Sequence, residues 1–185
     1  MSRDFETVLA NHCAPLLYGK KPAILLAEAP LPPCCEWELL RQYGLRVLRL
    51  KRLGGDTLLF IYNPELLAEA VRQPLTRQSL RSLGYGDGEV RVLLRELCRR
   101  VLLDGDFPHE IGFFLGYPPE DVLAFIAERG GACGKCKCCG TWKAYGDAER
   151  ASAIFDEYAY YRKTLLQEIA CGGSIFNVIP PALAG

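Results

Sequence analysis

The stretch Val47-Leu48-Arg49-Leu50-Lys51-Arg52-Leu53-Gly54-Gly55-Asp56-Thr57-Leu58-Leu59-Phe60-Ile61-Tyr62-Asn63-Pro64-Glu65 sets the fold class. Two short apolar runs flank Gly54-Gly55-Asp56, the pattern of a β-hairpin whose turn carries glycine. The returning run passes straight into a helix start. Asn63 is suited to the cap, Pro64 to the first helical position, and Glu65 supplies an acid in the first turn. A strand pair and a helix adjoin here, so mixed structure is expected.

Working upstream, Ala23-Ile24-Leu25-Leu26-Ala27 reads as a buried strand. Residues 4–18 have helical spacing through Phe5, Val8, Leu9, Leu16 and Leu17, but Pro15 interrupts it, and a second helix is expected to start near Cys13-Ala14-Pro15 and to end around Gly19. The segment Glu28 to Pro33, with three prolines, is a linker, and Cys34 to Leu40 opens a short helix that stops at Gly44.

Downstream, the helix begun at Asn63 runs to about Gln73, where Pro74 stops it. Helices follow over Thr76 to Leu83 and Gly88 to Leu103, the latter with Val90, Leu93, Leu94, Leu97 and Val101 on one face and Cys98 beside them. A further helix opens at Pro119 and ends at Gly130-Gly131. Thr141 to Tyr145 reads as a strand, and Asp147 caps a long last helix. Without a regular βαβ alternation, this order predicts an α+β fold: one small mixed sheet of four or five strands packed with several helices. Residues 1–172 are expected to form a single domain and residues 173–185 a loosely packed tail.

The chain has 185 residues, half of them apolar, enough to bury a core of its own. Lys plus Arg equals Asp plus Glu, 22 against 22, which gives no electrostatic case for a nucleic acid or an anionic membrane as partner. The start is polar and no apolar run is long enough to span a bilayer, so a cytoplasmic protein is expected. In that compartment, nine cysteines point to thiol or metal chemistry rather than to a disulfide framework.

Three groups of residues are candidates for chemistry. Cys13, at a helix N-terminus, and His109, followed by Glu110, have the composition of a thiol nucleophile with its base. In extended backbone His109 and Glu110 would face opposite ways, which makes Glu110 a poor orienter. The plainer alternative is a packed thiol and a loop histidine. Cys133-Gly134-Lys135-Cys136-Lys137-Cys138-Cys139 contains the two-residue spacing of a zinc or iron–sulfur knuckle at Cys133 and Cys136. Cys138 with Cys139, Cys34 with Cys35, or Cys171 would complete the ligand set, and Lys135 and Lys137 would favour thiolates. Against it stands the absence of a second separated knuckle. His12, His109, Glu110, Glu120 and Asp121 form a third candidate set for iron or zinc, although acids at Glu120 and Asp121 also suit a helix N-terminus. Lys143 is either an anion ligand or an ordinary solvated lysine.

Three segments together carry a family likeness: Asn11-His12-Cys13-Ala14-Pro15-Leu16 with Gly19-Lys20; Phe107-Pro108-His109-Glu110-Ile111-Gly112 with Leu115-Gly116-Tyr117-Pro118; and Gly140-Thr141-Trp142-Lys143-Ala144-Tyr145. They resemble the signatures of the domain of unknown function 3793 family, found mainly in anaerobic bacteria, and the resemblance spans nearly the whole chain. It implies iron or redox physiology and a flavodoxin-like or other redox partner, but no reaction. The cysteine run from Cys133 is denser than the family pattern.

The expectation is therefore a thiol- or metal-dependent protein of anaerobic iron or redox metabolism, with Zn or an Fe–S cluster on Cys133, Cys136, Cys138 and Cys139. The alternatives are a hydrolase or transferase using Cys13 and His109, and a non-catalytic module for a redox partner. Whether the chain is an enzyme stays open at this level.

Overall fold

A computed structural model describes residues 3–27, 39–51, 57–103, 107–128 and 135–177. Its α-helices are α1 (Arg3–His12), α2 (Ala14–Leu17), α3 (Pro64–Arg72), α4 (Pro74–Ser82), α5 (Val90–Leu103), α6 (Ile111–Phe114), α7 (Pro119–Ala127) and α8 (Ala148–Ala170). The strands are β1 (Ala23–Ala27), β2 (Arg46–Lys51), β3 (Thr57–Tyr62), β4 (Cys138–Cys139) and β5 (Lys143–Ala144), with 3-10 turns at Leu39–Tyr43 and Ile175–Asn177.

The strands form two antiparallel sheets, a three-stranded one in the order β1-β3-β2 and the β4–β5 hairpin. This corrects the expectation of one sheet of four or five strands. The reason is local: strands of only two residues present too little ladder to extend a sheet, and the β4–β5 hairpin packs on α7 and α8 instead.

The alternation of β3 explains the layering. Leu59 and Ile61 enter one core, with Ile24 and Leu26 of β1 and Val47 of β2. Leu58, Phe60 and Tyr62 enter the other, with Ala23, Leu25, Leu48 and Leu50. Side chains with a period of two necessarily divide between the faces of a sheet, so a strand apolar at every position is buried on both. The first core is closed by α1, α2 and α8 through Phe5, Leu9, Leu16 and Leu165. The second is closed by α3 to α7 through Leu67, Leu80, Leu97, Phe114 and Val122. Each such large side chain contributes roughly 1.5–3 kcal/mol when removed from water.

The expected caps form. The Asn63 side chain accepts from the N–H groups of Glu65 and Leu66 at 3.0 and 3.1 Å, and Asp147 accepts from the Arg150 N–H at 2.9 Å. Within 173–185, Ile175 is fully buried in the first core and its N–H donates to Glu6 at 2.9 Å; residues 178–185 lie outside the described part. No helix among the described residues is long and apolar enough to cross a membrane.

Candidate functional site

The segment from Phe107 to Pro118 folds as a turn, a single helical turn and a second turn. Ile111 N–H donates to Pro108 O and Gly112 N–H to His109 O, both at 3.2 Å, which winds the chain into α6. Phe113 and Phe114 anchor it in the second core. The segment then reverses at Gly116, with φ +74°; a Cβ there would collide with Pro22 Cδ, so only glycine fits this approach of the residue that leads into β1. The reversal directs Tyr117 back toward α7 and the β4–β5 hairpin.

His109 and Glu110 part company in this turn. Glu110 is buried: its Oε1 accepts from Tyr85 Oη at 3.2 Å and from Arg100 Nη1 at 3.1 Å. Arg100 also donates to Glu96 at 2.9 Å and to Leu83 O at 2.7 Å, and lies 4.3 Å from the Tyr85 ring centre. Burial first, and then the adjacent Glu110 charge, push the Tyr85 phenol well above its usual range. Glu110 is thus the acceptor of an interior network that ties α6 to α5. His109 points away from that network and meets the Phe125 ring edge-on at 5.0 Å.

Cys13 is the residue before α2, as its Pro15 signal predicts, but it is wholly buried among Leu9, Leu16 and Ile61. Burial pushes its thiol far up, with Lys21 a smaller opposing influence, so the group stays neutral and lacks a nucleophile's ionisation. The macrodipole of a four-residue helix does not offset that desolvation. Cys13 sits in the first core, whereas His109 lines a cleft with Phe125 beside the second core. His12 and Glu120 are exposed.

The third segment is held by Asp121. This carboxylate, 5% exposed in the first turn of α7, accepts from Trp142 Nε1 at 2.8 Å, from Tyr145 N–H at 2.8 Å and from Gly146 N–H at 2.9 Å. Trp142 stacks on Tyr117 at 5.4 Å and meets Phe155 of α8 edge-on at 4.5 Å. A Cβ on Gly140 would collide with the Phe155 ring, which explains glycine at the tip of the hairpin.

The second and third segments so placed enclose a cleft of about 400 Å³ walled by Phe107, Tyr117, Phe125 and Trp142, with His109 and Lys143 as its basic groups. Lys143 holds its ammonium 5.5 Å from the Phe125 ring centre. Against Tyr117 lies Lys21, 6% exposed, with Nζ 4.9 Å from the ring centre; burial lowers its pKa to about 8, against a smaller opposing influence of Cys13.

At the edge of the same hairpin, Cys136 Sγ and Cys139 Sγ approach to 2.8 Å, with Cys139 exposed and Cys136 half-buried. Cys138 faces the other way, packing with Trp142. Lys135 pairs with Glu128 at 2.7 Å and Lys137 donates to Gly146 O at 3.0 Å, so both ammonium groups are engaged away from the thiols. Cys171 ends α8, a helix of 23 residues. That is roughly 34 Å at about 1.5 Å per residue, and the hairpin packs near the other end, at Ala151 and Phe155. Cys171 is therefore no ligand for this cluster. Cys133, Cys34 and Cys35 lie outside the described residues. Among the described residues, no three His, Cys, Asp or Glu side chains are grouped as a metal would require, including the His12, His109, Glu110, Glu120 and Asp121 set.

Sequence reasoning missed three of these features. The Cys136–Cys139 pair had a signal, since Cys136-Lys137-Cys138-Cys139 is itself a two-residue spacing beside the one at Cys133. The clamp at Asp121 and the burial of Lys21 had none, because each depends on residues distant in the chain.

Comparison with curated proteins and with solved structures finds no match. The family comparison does, over residues 9–179, a span that takes in nearly all of the described fold. On that match the chain belongs to the family described as Protein of unknown function (DUF3793).

Proposed function

We propose that the chain is a thiol-based redox protein whose reactive element is the Cys136–Cys139 pair. The supporting observation is the 2.8 Å approach of the two sulfurs on an exposed hairpin edge. Two thiols held in contact close a disulfide with little further motion, and a two-residue spacing is a common geometry for such exchange. The step is balanced with a disulfide substrate. The thiolate of Cys139 attacks one sulfur of the substrate disulfide, giving a mixed disulfide and releasing one thiol. Cys136 then attacks Cys139, closing the Cys136–Cys139 bond and releasing the second thiol. Two electrons and two protons pass to the substrate. This reading agrees with the redox physiology that the family resemblance implies.

A soft-metal site is the second reading. It is favoured by the convergence of the same two sulfurs, with Cys133 spaced to supply a further thiolate.

One preparation tests both. Protein purified without oxygen is equilibrated in glutathione redox buffers, alkylated and weighed, alongside elemental analysis. A two-electron transition lost in Cys136→Ser and in Cys139→Ser supports the redox pair. Stoichiometric zinc or iron, lost when Cys133 and Cys136 are both replaced by serine, replaces it with the metal site. Neither result overturns both.

A further inference from the structure

We propose that the cleft between α6, α7 and the β4–β5 hairpin binds a small planar aromatic anion, a ligand class distinct from anything the thiol pair would handle. Its volume, about 400 Å³, falls within the roughly 300–1,000 Å³ of small-molecule sites. Its walls are mostly aromatic, and a flat ring is what such walls accommodate with the least loss of contact. Tyr117 and Trp142 are fixed by their mutual stacking at 5.4 Å, and Phe125 by the edge of His109 at 5.0 Å. These rings are already ordered, so a ligand would not need to immobilise them.

The charge preference follows from how the polar groups are used. Among the described residues, Asp121 is the acid that lines the cleft, and its two oxygens already accept from one indole and two backbone N–H groups at 2.8–2.9 Å. Three donors at this range offset much of the carboxylate's field. Lys143 and His109 supply the basic groups of the lining, with Lys143 beside Phe125. A ring lodged among the aromatic walls would bring a carboxylate or similar group within reach of that ammonium. Lys21, buried and outside the lining, holds its Nζ 4.9 Å from the Tyr117 ring centre. Glu110, the chain neighbour of His109, is turned away to Arg100 and Tyr85.

The structure also supplies the reporter. The chain has two tryptophans, Trp37 and Trp142. In Trp37→Phe the remaining indole forms part of the cleft wall. Titration of that variant with 2-naphthoate and with the neutral isostere 2-naphthamide reads binding by quenching of Trp142. Saturation-transfer NMR on the unaltered chain gives the same comparison without a substitution.

The expected result is saturable binding of naphthoate at least tenfold tighter than naphthamide. Lys143→Gln should collapse that ratio to near one, and Lys143→Arg should keep it. Substitution of Cys136 and Cys139 by serine should leave both affinities unchanged, which separates this proposal from the fate of the thiol pair. Equal binding of the two probes, no saturable binding, or a ratio that survives Lys143→Gln overturns it.

Discussion

Trp142 and Asp121, 21 residues apart in the chain, are joined by a 2.8 Å hydrogen bond from the indole Nε1–H to the buried carboxylate. The other oxygen of Asp121 receives two backbone N–H groups from the turn after β5. One side chain therefore fixes the third sequence segment against the helix that follows the second.

Replacing Asp121 should expose that dependence. Asp121→Ala leaves one indole and two backbone donors without this acceptor, at a cost of about 1–3 kcal/mol for each unsatisfied group, reduced where water enters, as it can at exposed Gly146. A net destabilisation of about 3 kcal/mol is expected. Asp121→Asn should also destabilise, because its amide must turn a donor toward at least one of these N–H groups. Urea unfolding of Trp37→Phe, followed through Trp142, measures both, and an Asp121→Ala midpoint equal to the parent's would refute the clamp.

Glu110 should behave as a structural acid. Its partner Arg100 has a side chain only 17% exposed, and Glu110 Oε1 lies 3.1 Å from it. Glu110→Ala leaves the Tyr85 hydroxyl without this acceptor and Arg100 with Glu96 and the Leu83 carbonyl as its remaining partners, for which about 1–3 kcal/mol is expected. Thiol reactivity at Cys139 should not change in this variant. Loss of that reactivity with stability intact would instead return Glu110 to the site chemistry.

Native labelling distinguishes the cysteines. Under reducing conditions at pH 8, iodoacetamide should modify exposed Cys139 while Cys13 stays protected until the protein unfolds. Peptide mass spectrometry reads each site. Labelling of native Cys13 at pH 6, slowed by His109→Ala, would restore the nucleophile reading of that pair.

Lys21 predicts a pH dependence of stability. Burial lowers its ammonium to about 8 in the fold, from the 10.5 of an ordinary lysine. Between those values the unfolded chain holds the extra proton, so this group makes stability rise as pH increases from 8 toward 10.5. Below pH 8 both states are protonated and the burial penalty stands in full, about 3 kcal/mol on the scale of roughly 1.4 kcal/mol per unit. Cys13 acts in the opposite sense above pH 9, where its unfolded thiol ionises first. The comparison is therefore with Lys21→Met, which retains Cys13. Its stability advantage over the parent should be largest at pH 7 and should shrink by pH 10. A constant difference across that range would show that Lys21 is not desolvated.

Much of the fold was legible because it rests on local rules. Ala23 to Ala27 is a strand, the Val47–Tyr62 hairpin pairs as its spacing requires, and Asn63 caps α3. The sheet count was not legible. Thr141 to Tyr145 has strand composition, but composition does not say which edge a segment will join. The Asp121 carboxylate and the Phe155 ring draw it to the helices.

The site divides the same way. The sequence by itself determined the family segments and the short-range features: the cap at Asn63, the two-residue cysteine spacings and the helix start at Cys13. Those are set by rotation and chain stiffness over a few residues. Tertiary structure alone decided which of these groups are available for chemistry. Cys13 lies in a core where its charge would be desolvated, Glu110 is drawn to Arg100, and His109 and Lys143 share one aromatic cleft. Burial and the field around a side chain come from neighbours across the whole chain, and no local pattern encodes them.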